Sequence, residues 1–142
     1  NKKKILQELI ENIESIGSKI SEELTLRFKA QYAAFMENDY DAAIGYINQA
    51  IEMNENIHYA RLVKFDIAEK FGDIKTMQDI ADYFKKVELR QRYNDNIVCM
   101  DSLIRVKKGD CIGAIEYFKM HIKNYTDEAK DRFIIRLNKY AS

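Results

Sequence analysis

A polar doublet returns three times in this chain, as Asn38-Asp39, Gly72-Asp73 and Gly109-Asp110, each time ahead of apolar residues at helical spacing. The first two doublets lie 34 residues apart and the second and third 37. The same offsets within the runs carry the inward positions: Ala43, Ile47 and Ala50; Met77, Ala81 and Phe84; Ala114, Phe118 and His121. A period of this length restricts the fold, because one helical hairpin cannot cover its own apolar faces. Equal hairpins bury them by stacking on each other. The three extra residues of the second interval fall in the polar connection before Asn96.

The rest of the chain agrees with helices. No segment sustains period-two alternation. With no proline and only 5 glycines in 142 residues, there is no proline break and no material for a long linker. Ile5, Leu6, Leu9, Ile10, Ile13 and Ile16 form a first stripe closed by Gly17. A second helix is expected over about 21–37, carrying Leu24, Phe28, Tyr32 and Phe35. Asp39, Asp73 and Asp110 can cap the helices that follow them, and Thr126 can cap the last, whose inward residues are Ala129, Phe133, Ile134 and Leu137. The spacing predicts eight helices in one domain: a flanking helix (1–18), three hairpins (21–55, 56–91, 92–125) and a closing helix (126–142).

At the level of residues, "NDYDAAIGYINQAIEMN" and "GDCIGAIEYF" resemble the second half of the tetratricopeptide repeat, a helix-turn-helix unit of about 34 residues. Ala43, Ile47 and Ala50 follow its small-large-small order, as do Ala114 and Phe118, and Ser102 suits a small-residue site in a first helix. The copies diverge at Met77, Gln31 and Phe65, where smaller residues are usual, and at Glu55, where the repeat often ends on proline. The resemblance implies a right-handed α-solenoid, all-α, of about three such units. It also implies a groove, lined by the first helix of each pair, that binds a protein or peptide partner. Carried over residue by residue, the groove positions are Phe28, Lys29 and Tyr32; Tyr59, Leu62, Val63 and Asp66; and Asn96, Cys99, Met100 and Leu103. Asp66 and Leu103 stand where a carboxylate clamp would place amide or basic groups, so an apolar or helical ligand is the expectation. A second implied role is that of a peptide-sensing fragment of a larger bacterial regulator or defence protein.

Other classes find little support. The 23 basic and 23 acidic residues cancel, which argues against direct nucleic-acid binding. "TMQDIADYFKKVELRQRY" echoes a DNA-reading helix-turn-helix, but Lys85-Lys86 continues the helix where its turn should fall. His58 and His121 belong to no metal-ligand spacing, no glycine loop cradles phosphate and no serine sits in a nucleophile elbow. The expectation is therefore a non-catalytic protein without cofactors. Cys99 and Cys111 form no disulfide framework and read as reduced thiols, which places the protein in the cytoplasm. No apolar run approaches a membrane span, and the start "NKKKILQELIENIESIG" is too polar for a signal peptide. It opens on Asn rather than Met, as a piece of a longer chain would. The closing helix carries Phe133, Ile134, Ile135 and Leu137, more than one side needs, so self-association through the terminal helices is expected.

Overall fold

The recurring doublets are the corners of the structure. In the computed structural model, which describes residues 1–14 and 19–141, Asn38, Gly72 and Gly109 all take left-handed backbone, with φ of 53°, 72° and 93°. A left-handed residue ends one helix and turns the chain toward the next. Glycine does this without strain, and asparagine is among the few side chains that tolerate it. Each corner is followed by its Asp as N-cap. Asp39 accepts from the Ala42 N–H at 3.1 Å, Asp73 from Thr76 at 3.1 Å and Asp110 from Gly113 at 2.8 Å. The cap backbone closes the preceding helix as well, Asp39 N–H donating to the Ala33 carbonyl and Asp110 N–H to that of Arg105.

Among the described residues there are nine helices and no strand: α1 (Lys2–Glu14), α2 (Lys19–Phe35), α3 (Tyr40–Met53), α4 (Tyr59–Phe71), α5 (Ile74–Phe84), α6 (Val87–Arg90), α7 (Asn94–Lys107), α8 (Cys111–His121) and α9 (Asp127–Lys139). The ninth helix is α6, one short turn at the start of the expected polar connection, which accommodates the longer interval; the helical run breaks at Lys85-Lys86, where the sequence predicts continuous helix. Ile16 and Gly17, expected to finish the first stripe, lie outside the described residues. No helix is long and apolar enough to cross a membrane among the described residues.

The chain divides into two compact units, residues 1–71 and 72–142, with the division at the middle corner. In the first unit, α2 packs against α1, α3 and α4. Three neighbours crowd one helix, and its buried face is accordingly small: Ala30, Ala33 and Ala34 are closed off, whereas Phe28 and Tyr32 are half-buried and Phe35 is exposed. The aromatic stripe expected of α2 is therefore not its packing face. Ala43, Ile47 and Ala50 of α3 and Ala60, Val63 and Ile67 of α4 complete this core. Glu23 and Arg27 approach to 2.7 Å, and the Arg27 guanidinium lies 4.8 Å from the Tyr59 ring, which fastens α2 to α4.

In the second unit α7 packs against α5, α8 and α9, and α9 also lies on α8. Phe118 is fully buried between Phe133, at 4.5 Å between ring centroids, and Tyr125, at 5.9 Å. Ser102, also fully buried, donates to the Val98 carbonyl one turn back at 2.7 Å, so its hydroxyl is satisfied. His121, expected to face inward, is instead exposed and lies 4.4 Å from the Tyr117 ring. The reason is local: α8 stops there, the backbone of Ile122 becomes extended, and Ile122 turns into the buried place.

Candidate functional site

Within the first unit, α1 and α3 lie on α2 without closing over its length. Among the described residues, two clefts open between them. One, of about 460 Å³, is lined by Ile13 and Glu14 of α1, Glu22, Thr25, Leu26 and Lys29 of α2, and Gln49 and Met53 of α3. The other, of about 260 Å³, is lined by Gln7, Ile10 and Glu11 of α1, Lys29 and Tyr32 of α2, Tyr46 of α3, and Glu37. Lys29 belongs to both. Its Nζ meets Glu14 Oε1 at 2.8 Å, so this ion pair stands between the clefts and ties α1 to α2. From Glu22 to Tyr32 the floor runs ten residues along α2, about 15 Å at helical rise.

Apolar side chains on a polar rim are the composition of a binding cleft. Ile13 is buried, Leu26 and Ile10 are half-buried, and Met53 remains 40% exposed at the end of α3. Thr25 on the floor is only 5% exposed, and its hydroxyl has no hydrogen-bond partner among the described residues. A buried hydroxyl without a partner costs about 1–3 kcal/mol, so its retention needs a reason. Next to it on the helix, Glu23 and Arg27 form an ion pair at 2.7 Å.

Of the expected groove residues, Lys29 and Tyr32 come together in this furrow, and Phe28 does not line it. Tyr59 is 56% exposed on α4 beside Arg27, Leu62 is half-buried and Asp66 exposed. Val63, Met100 and Leu103 are buried, at 4%, 4% and 3% exposure, and offer no free surface. The cause is the same in each case. Both α4 and α7 bury side chains around most of their circumference, as a centrally placed helix does, which leaves these three positions no open face. Asn96 is exposed, and Cys99 meets the Tyr125 hydroxyl at 3.3 Å. Burial, ahead of that hydrogen bond, pushes the Cys99 thiol above its ordinary pKa, which leaves it protonated and unreactive at neutral pH.

Thr25, Leu26, Gln49 and Met53 were not among the expected binding residues. A hint was present in α1, whose stripe carries more apolar side chains than one contact with α2 can cover: Ile5 and Leu9 are 55% and 38% exposed. The second unit has a polar cleft of about 900 Å³ lined by Lys85, Arg90, Gln91, Asn94, Lys123 and Asn124. No group of three or more His, Cys, Asp or Glu suited to a metal ion occurs among the described residues.

Comparison with family models, curated proteins and solved structures finds no match to this chain.

Proposed function

We propose that this chain is a non-catalytic binding protein that holds a segment of another protein or a peptide, with its helices arranged as a right-handed, tetratricopeptide-like solenoid. The repeated corner with its Asp cap supports the repeat reading. So does the packing within each unit. In the first, α4 lies on both helices of the α2–α3 hairpin, and in the second, α9 lies on both helices of the α7–α8 hairpin. That is the relation of a hairpin to the first helix of the next repeat. Two unpaired cysteines suit a reducing, cytoplasmic setting.

The observation that carries the binding role is the larger cleft itself, of about 460 Å³, where Ile13, Leu26 and Met53 are rimmed by Glu14, Glu22, Lys29 and Gln49. Apolar side chains with a few polar groups around them are what a site needs to take in a guest's apolar side chains and fix their position. The test is site-specific photo-crosslinking in the native cell. A crosslinking residue in place of Gln49, on the cleft rim, is expected to trap a discrete protein adduct. The same residue in place of Glu116, on the exposed side of α8, is expected to trap none. Equal trapping from both positions, or from neither, contradicts the proposal.

A further inference from the structure

We infer that the furrow over α2 receives a partner's amphipathic helix whose apolar stripe is flanked by Lys and Arg. The inference rests on the proposed segment-binding role and specifies its ligand.

The form of the guest follows from the clefts. Each is too small for a whole helix, but each is suited to side chains entering from one face. Along α2 the larger floor runs from Glu22 to Lys29 and the smaller from Lys29 to Tyr32, so their middles lie about five residues or 7–8 Å apart. A helix laid along α2 presents residues i and i+7 about 10.5 Å apart, with i+3 and i+4 between them. Anchors one to two turns apart on such a stripe therefore drop into the two clefts, astride the Glu14–Lys29 bridge. An extended strand, at about 3.3 Å per residue, crosses the same length in three or four residues and alternates its side chains away from the floor.

The charge of the guest follows from the rim. Glu11, Glu14, Glu22 and Glu37 line the clefts, and Lys29 is the single cation among the described lining residues. Lys29 is already committed to Glu14. Glu11 and Glu22 are exposed and belong to no ion pair among the described residues. In the smaller cleft, which Glu11 lines with Tyr32 and Glu37, Lys3 stands 5.7 Å over the Tyr32 ring. Each cleft thus keeps an exposed carboxylate outside the ion pairs, Glu22 in the larger and Glu11 in the smaller, and the guest's basic residues belong beside both. Complementary charge of this kind selects partners and steers encounter more than it adds affinity.

The test uses the full chain and three fluorescent helical peptides that share one Leu stripe at i, i+3 and i+7 and differ in flanking residues: Lys/Arg, Gln or Glu. Anisotropy titrations at low salt are expected to give the Lys/Arg peptide a Kd at least about ten-fold below that of the Glu peptide, with the gap narrowing at high salt. Glu11→Lys combined with Glu22→Lys is expected to invert the order, and Met53→Glu to abolish binding of all three while circular dichroism shows an unchanged helix content. A Lys/Arg peptide carrying a central proline is expected not to bind. Equal affinities for the three peptides, with binding still lost in Met53→Glu, would overturn the basic guest and leave the segment-binding furrow standing. Unimpaired binding of the proline peptide overturns the helical guest. If no peptide binds, or if binding ignores Met53→Glu, both readings fall. A dimer in sedimentation that Met53→Glu dissociates would replace the partner with a second copy of the chain.

Discussion

Lys85 Nζ and Asp101 Oδ1 sit 2.9 Å apart, and the Asp101 carboxylate also accepts the Tyr117 hydroxyl at 3.1 Å. One carboxylate on α7 thereby joins the end of α5 to the middle of α8. Asp101 is 8% exposed, and a charge so placed is tolerated because both of its oxygens are engaged. Lys85→Met removes the compensating charge and is expected to cost on the order of 2 kcal/mol in urea denaturation, below the value for a fully buried pair because Lys85 retains some solvent. Adding Asp101→Leu to that variant is expected to recover part of the loss. A double variant less stable than Lys85→Met would contradict this account of the pair.

The corners separate two costs of replacing glycine. Neither Gly72 nor Gly109 has any atom within 4 Å of where a Cβ would sit, so alanine there meets no obstacle except its own left-handed backbone. Gly72→Ala and Gly109→Ala are each expected to lose about 1 kcal/mol, or roughly 3 °C in Tm. Asn38→Gly relieves the same strain but gives up the hydrogen bond that Asn38 Oδ1 accepts from Lys70 Nζ at 2.7 Å, and is expected to be about neutral. Gly45 lies within α3, equally unobstructed but in a helix, and Gly45→Ala is expected to raise stability by about 1 kcal/mol. Calorimetry on the four variants checks the signs.

Caps make a parallel series. Asp39→Ala, Asp73→Ala and Asp110→Ala each strip a helix of its N-terminal acceptor and are expected to cost about 1 kcal/mol. Asp73 is expected to cost most, because it also accepts the Thr76 hydroxyl at 2.7 Å. Replacement by Asn or Ser should restore most of each loss.

Alkaline pH probes the contact of Cys99 with Tyr125. Burial comes first among the causes that push both groups above their ordinary values of 9.0 and 10.0, and for Tyr125 the thiol adds to the effect. A raised folded-state pKa means that the native protein holds its proton more tightly than the unfolded chain. The stabilisation is complete below pH 9 and is lost as pH climbs through the folded values above it. The urea midpoint is therefore expected to stay level from pH 7 to about pH 8.5 and then to fall. Cys99→Ala with Tyr125→Phe is expected to flatten that fall. An unchanged slope would show that other groups drive it.

Local devices were legible in the residues. Asp39, Asp73, Asp110 and Thr126 cap where their side chains and the following apolar runs place them, because capping depends on neighbours within four residues. The four-residue α6 was not legible, since one turn is too short to display a period. Burial at Val63, Met100 and Leu103 escaped for a different reason. The spacing of a repeat indicates which face of an average first helix is open, whereas the number of neighbours around α4 and α7 is decided by the assembled chain. The furrow is less legible still. It exists because α1 and α3 leave part of α2 uncovered, and no spacing within α1, α2 or α3 records the gap between two helices. Thr25 looks like any helical threonine until its hydroxyl is seen to be buried without a partner among the described residues.

The extra turn at α6 changes what lies beside it. Three residues beyond the 34-residue interval bring Arg90 and Gln91 to a cleft they share with Lys85, Asn94, Lys123 and Asn124, where the unlengthened interval, at Asn38 to Gly72, has no such turn. In a chain assembled from copies of one joint, individuality can thus enter by insertion at a connection, sparing every corner, and it is at such a splice that relatives of this protein are expected to vary most in length.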